Sequence, residues 1–408
     1  MTSSLISNGF APQLFSSSRP MGVMAATFHR GVLDAVSKTL DARSPLMPLL
    51  DQCHTLSSQA LRPLPQAWQP DVGAALRKTQ QGRPHEALLH LMCALHTLRI
   101  PGQWQCQLHE PVRLAVDGHL FDAAGSLRVT CTEQGLEVER LDAALAPLVL
   151  HWTEHGLRAD PGQRPDAGWS YVQPTHLEAA GFQHLYLQSW KEPDEATVTD
   201  IFVDWPVPPQ AGEDGLMAAR SAQQVGQALQ LLQEADPCYV DWILPLLRGL
   251  ACCPLTSEDM RQSGSFLSSS GVFSCGFPLS TEFLGEVFVH EMSHQHYLLM
   301  SAIQHLTDPA RKESTHYSTL KGKKRTISKI LLTYHATANM LLYWHDLIHR
   351  LGRDSQENLK EHDVMLRHTL SLADILRQSD ALMPGGKALF HGQAELLIAR
   401  GYDVPMAA

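Results

Sequence analysis

The sequence has little charge. Only 18% of its 408 residues are Asp, Glu, Lys or Arg, and no block of like charge is long enough to make a solvated tail, which excludes the disordered and charge-patterned classes. The charge present sums to −10, which argues against general affinity for nucleic acid or anionic membranes. No apolar run reaches the length that crosses a bilayer. The opening residues, MTSSLISNGFAPQLFSSSRPMG, hold no basic residue before Arg19 and no apolar core, so no secretory signal is expected. The eight cysteines lack C-x-x-C spacing and a small disulfide framework, so the expected location is the reducing cytoplasm. Adjacent Cys252 and Cys253 read as small buried hydrophobes. No repeat recurs at a fixed period. What is present is a core: 44% of the residues are apolar, and the expected partner of such a globular chain is a small molecule or a peptide. The sequence carries no signal for an oligomeric state.

The expected fold class is α+β, mainly α, with three regions. Residues 1–102 read as a helical N-terminal region, with apolar residues at helical spacing in PHEALLHLMCALHTLRI. Residues 103–205 form a small β-rich middle region, where apolar and polar residues alternate around Asp117-Gly118 and Gln134-Gly135 turns. The stretch DWPVPPQAGEDG, residues 204–215, is the candidate linker. Residues 216–408 return to helical texture as the catalytic region. Within it, the Ser- and Gly-rich residues 261–280 form an extended stretch that leads into a helix.

That helix carries FVHEMSHQHYLLM, residues 288–300. His290 and His294 stand four apart, about 40° around a helix, so both rings project from one face and suit a shared metal ion. Glu291 lies about 100° away, in reach of a metal-bound water. With 22 His and 42 acidic residues in the chain, His-acid-x-x-His is expected by chance on the order of 0.1 times. Val287, Phe288, Val289, Leu298, Leu299 and Met300 surround the motif with apolar side chains, as in a buried helix. The plainer reading is a pair of core histidines with satisfied hydrogen bonds beside an incidental Glu.

A catalytic metal needs a third protein ligand, and its identity decides the chemistry. The extended protease pattern x-x-Gly-x-x-His is excluded, because Tyr297 and Met300 occupy those positions. A zinc peptidase would take Glu313 from the polar stretch DPARKESTHYS. The other candidate is His335 in ISKILLTYHATANMLLYWHDLIHR. On one helix His335 shares a polar stripe with Asn339, Asp346 and His349, and buried polar groups need partners. The plainer reading of that stripe is a solvated helix face. Arg325 lies ten residues earlier; if the helix reaches it, its azimuth of about 80° puts a guanidinium on the His335 side, able to grip a carboxylate by two hydrogen bonds. Thr326 or Ser328 caps the helix or supports the same anion. Tyr297 reads as packing, and His296 points away from the metal.

These segments, GSFLSSSGVF, VFVHEMSH and RTISKILLTYHA, resemble the HExxH-motif proteins of ribosomal-peptide natural-product pathways, which include 2-oxoglutarate-dependent iron peptide β-hydroxylases. The similarity spans roughly residues 260–350. It implies iron(II) held by His290, His294 and His335, with 2-oxoglutarate on the metal, its distal carboxylate paired with Arg325, and Thr326 and Asn339 beside it. Dioxygen and a precursor peptide would be the other partners, and the product a hydroxyl on a side-chain β-carbon. Glu291 would be either a ligand or a base beside the metal. The alternative is a zinc metallopeptidase in which Glu291 activates a bound water. A third reading is a peptide-binding module without catalysis. The β-rich middle is the region available to hold a leader peptide.

Overall fold

The computed structural model describes residues 5–60, 65–154, 156–159, 171–172, 175–176, 186–189, 214–254, 263–311, 315–318, 320 and 322–406. They form the expected α+β architecture, with helices predominating. The chain divides into two compact units that do not follow its order. Met1–Ala25, Gln224–Leu246 and Leu279–Ala408 make the first, and Ala26–Gln223 with Leu247–Pro278 the second. The N-terminal residues, read from texture as part of a region ending at 102, thus belong with the motif helix.

Helices fill the first hundred residues: α1 (Arg19–Thr39), α2 (Met47–Ala60), α3 (Pro70–Gln80) and α4 (Pro84–Thr97). Pro70 and Pro84 open α3 and α4 at the position where a missing N–H costs nothing. α4 is buried from Glu86 to His96, so its polar residues Glu86, His90 and His96 are enclosed along with the apolar ones that the helical spacing marked. Next, β1 (Gly102–Val116) and β2 (His119–Cys131) form a long hairpin. Its turn residues Asp117 and Gly118 have φ of 49° and 78°, the left-handed pair that a type I′ turn requires. The strands β3 (Gly135–Arg140), β4 (Leu148–Thr153) and β5 (Gly156–Ala159) extend this antiparallel sheet, and β6 (Tyr171–Val172) pairs with β2.

A second, mixed sheet is assembled from β7 (Thr175–His176), β8 (Tyr186–Ser189), β9 (Gly249–Pro254), β10 (Ser263–Ser265) and β11 (Val272–Phe277), in the order β10-β11-β9-β8-β7. Between β8 and β9 come α5 (Asp214–Ala235) and α6 (Pro237–Ile243). The candidate linker lies outside the described residues up to 213, and its last two residues already open α5. The Ser-rich stretch before the motif helix supplies β10 and β11, so its extended texture is strand.

The first unit is organised by α7 (Thr281–Ile303), which carries the motif. It is followed by β12 (Thr315–Ser318), β13 (Lys323–Thr326), α8 (Ile327–His349), α9 (Gln356–Arg377) and α10 (Pro384–Ala399). Ser280 caps α7, its Oγ accepting from the Phe283 N–H at 3.3 Å. α7 and α8 pack antiparallel, and side-chain hydrogen bonds fix their register. Tyr343 Oη donates to Glu282 O at 2.8 Å and Trp344 Nε1 to Glu286 Oε2 at 3.0 Å. Further along, Asn339 Nδ2 donates to Ser293 Oγ and Tyr297 Oη to Ser328 O, both at 3.0 Å. Gly285 permits the close approach: a Cβ there would collide with Tyr343 Oη.

Candidate metal centre

The motif helix brings its two histidines together as the spacing predicts. His290 Nε2 and His294 Nε2 are 2.9 Å apart, with the rings nearly perpendicular at 86°. The His290 side chain is 24% exposed, whereas Glu291 is buried, with Oε1 3.9 Å from His290 Nε2. The other edge of His290 meets α8, where Nδ1 lies 3.0 Å from Met340 Sδ. This arrangement offers two nitrogen donors at an accessible edge, with a carboxylate behind them.

The spacing of the donors bears on whether a metal fits. Two ligands about 2.1 Å from one ion stand about 3.0 Å apart when they subtend a right angle, and about 3.4 Å apart at the tetrahedral angle. The observed 2.9 Å agrees with the right angle. A hydrogen bond between a protonated and an unprotonated nitrogen spans the same distance. Either way the two Nε2 atoms face each other.

His335 does not join them. Its Nε2 donates to Gly9 O and Phe10 O, both at 3.0 Å, and burial pushes its pKa down to about 4. Asn339 is equally committed. Its Nδ2 donates to Phe10 O at 3.3 Å as well as to Ser293 Oγ, and its Oδ1 accepts from Gln393 Nε2 at 2.9 Å. The polar stripe on α8 is therefore buried at His335, Asn339 and Asp346 and exposed at His349; the partners of the first two are the N-terminal segment, Ser293 and Gln393, and Asp346 accepts from Tyr239 Oη at 2.8 Å. Among the described residues no group of three or more His, Cys, Asp or Glu side chains is placed to hold a metal ion. The other proposed third ligand, Glu313, lies outside the described residues.

The register of the helix pair explains this placement. Asn339, Met340, Tyr343 and Trp344 of α8 meet α7 through their side chains and centre about 110° around the helix from His335. Ser328 and His335 lie at the margin of that face, where both meet Tyr297 of α7. The sequence places Glu286 one turn before His290 on the same stripe, a signal that sequence reasoning left unused. Nothing in the sequence singles out Met340.

Arg325 requires a correction. Helix α8 begins at Ile327, and Arg325 lies on β13 opposite His316 of β12, so an azimuth on α8 does not apply to it. Thr326 is the N-cap residue of α8, but its side chain makes no capping hydrogen bond. The Arg325 Nε is buried without a hydrogen-bond partner. Tyr297 is packing, as expected, buried and bonded to the start of α8. His296 turns away from the motif face, stacked on Trp242 with Nε2 donating to Trp242 O at 3.1 Å.

No protein-family model matches this chain, and no curated protein is detectably similar to it.

Proposed function

We propose that the chain is a metal-dependent oxygenase of the HExxH type, in which His290 and His294 hold iron(II) through their Nε2 atoms. The substrate is a ribosomally made precursor peptide and the co-substrates are 2-oxoglutarate and dioxygen. The observation that carries this reading is the 2.9 Å between the two Nε2 atoms, which brings both imidazole nitrogens within reach of one ion that they would hold together. When bound, the iron supplies the oxidising chemistry. Overall, the peptide C–H, dioxygen and 2-oxoglutarate become the hydroxylated peptide, succinate and carbon dioxide.

The chain's own residues have distinct tasks. His290 and His294 bind through lone pairs in the plane of each ring. Glu291, buried beside them, orients a proton-bearing group at the site. Arg325 carries a buried Nε with no partner, and the distal carboxylate of 2-oxoglutarate would satisfy it. With His335 bonded elsewhere, the described residues supply two of the three protein ligands that a catalytic metal requires. The second reading, a zinc peptidase, is favoured by the 3.9 Å between Glu291 Oε1 and His290 Nε2, a position from which a carboxylate reaches a metal-bound water.

Anaerobic reconstitution with iron(II) tests the reading. Binding of one iron is expected, followed, once dioxygen is admitted, by succinate formation from 2-oxoglutarate and a gain of one oxygen atom on the peptide. His290→Ala and His294→Ala should abolish all three, and Arg325→Ala should abolish succinate formation while leaving iron bound. Oxygen-independent cleavage of the peptide by the zinc-loaded protein would establish the peptidase instead.

A further inference from the structure

The second unit contains a cavity of about 360 Å³ that the motif chemistry does not use. Its volume lies within the usual range for small-molecule sites. It opens between the start of α3 and the turns that join β1 to β2 and β4 to β5. Asp71, Arg99, Asp117, Trp152, Glu154 and Arg248 supply its charged and aromatic lining.

Arg99 is the informative residue. Helix α4 ends in the paired hydrogen bonds Arg99 N to His96 O and Ile100 N to Leu95 O, at 2.8 and 3.1 Å. This helix ending needs a left-handed residue at Arg99 and normally takes glycine there. Arg99 has φ 60°, and among the described residues only Asp117 is another non-glycine with positive φ. Asp117 is explained by its hairpin turn. A helix terminus gives no such reason for a long side chain.

The side chain does have a use at the cavity. Its guanidinium lies over the Trp152 ring, with Cζ 4.7 Å from the centroid, and Nη2 donates to Thr153 O at 3.0 Å. Those contacts occupy one face and one donor, leaving N–H groups of a planar cation. The cavity's buried acids are engaged within the fold: Asp71 Oδ1 with His90 Nδ1 at 3.1 Å, and Asp117 Oδ2 with the Leu157 N–H at 2.7 Å. Burial pushes the Asp117 carboxyl up to about 6 against the pull of the Leu157 N–H and of the Arg99, Arg248 and Arg158 charges, so it stays mostly ionised at neutrality. A planar cation backed by an aromatic ring suits a carboxylate approaching edge-on.

We propose that this cavity binds a ligand with a terminal carboxylate through Arg99, with Trp152 holding the guanidinium in place. A free organic acid and the carboxy terminus of a peptide present the same chemistry. The site is independent of the metal reading. Calorimetric titration of the full, metal-free chain tests it with three probes: benzoate, a Gly-Gly-Phe tripeptide, and the same tripeptide amidated at its C-terminus. At least one free acid should bind, and the acid that binds identifies the source. The amide should bind at least tenfold more weakly than the free tripeptide wherever the tripeptide binds. Arg99→Asn should weaken binding at least tenfold without loss of fold, because Asn tolerates the left-handed conformation. The proposal is overturned if neither acid binds, if the amide binds as well as the free tripeptide, or if a folded Arg99→Asn protein keeps its affinity.

Discussion

The thioether of Met340 touches the imidazole of His290, whose side chain is 24% exposed. A thioether accepts a hydrogen bond and has no proton to give. Its contact with His290 Nδ1 at 3.0 Å therefore assigns the ring proton to Nδ1 and leaves the Nε2 lone pair facing His294. In metal-free protein the proton between the two Nε2 atoms then belongs to His294, which must shift it to Nδ1 before that ring can ligate. Met340→Leu keeps the volume of the side chain and costs less than about 1.5 kcal/mol in packing, but it removes the acceptor. Partners that orient a ligating imidazole are typically worth about tenfold or more in metal affinity, and a thioether belongs at the weak end of that range. Cobalt(II) titration of Met340→Leu should show about a tenfold loss of affinity with a near-normal unfolding midpoint. Unchanged affinity would remove Met340 from any role beyond packing.

Between elements, the α7–α8 pair depends on one glycine. Gly285 faces the phenol of Tyr343, which is fully buried and donates to Glu282 O. Alanine would gain about 1 kcal/mol of helix propensity. Its methyl would also displace the phenol, losing a hydrogen bond and forcing the two helices apart, at about 1–3 kcal/mol for overpacking and about 1 kcal/mol for the bond. Gly285→Ala should therefore destabilise by about 2 kcal/mol, read as a lower urea midpoint for loss of tyrosine and tryptophan signal. An equal or higher midpoint would show that Tyr343 relocates freely. The elements themselves were largely legible in the sequence. His290 and His294 share a face because four residues nearly close a helical turn, and the Asp117-Gly118 hairpin follows from turn chemistry alone. The partner faces were not legible. The sequence pattern of α8 shows a polar stripe through His335, yet Gly9 and Phe10, over three hundred residues earlier, take its hydrogen bonds. Periodicity reports that a group is buried and carries no information about which segment covers it. Arg325 was misplaced for a related reason: the β12–β13 pairing competes with continuation of the helix, and no local signal decides between them.

For the whole molecule, acid should be the destabilising condition. In the second unit, burial pushes the pKa values of His29, His96 and His119 from 6.5 down to about 4. A folded-state value below the unfolded one means that the unfolded chain binds protons first as pH falls. These histidines leave stability intact above about pH 6.5 and remove it progressively down to pH 4. Two carboxyls act in the opposite sense. Asp117 is pushed up to about 6 and Asp71 is raised from 3.8, both mainly by burial, so each favours the folded state below its unfolded pKa and loses that contribution as pH rises through the folded one. Each group changes stability by at most about 1.4 kcal/mol per pH unit, and three imidazoles outweigh two carboxyls. The urea midpoint should accordingly fall between pH 7.5 and pH 5. His29 provides the sharper test, because it is fully buried and neither ring nitrogen has a hydrogen-bond partner. His29→Leu removes that desolvated ring at no cost in bonds and should stabilise the protein by about 1–3 kcal/mol. The gain should be larger at pH 5 than at pH 7.5, since only at the lower pH does the unfolded wild-type chain draw stability from protonating this residue. A gain of equal size at both values would mean that the ring titrates alike in the folded and unfolded chains.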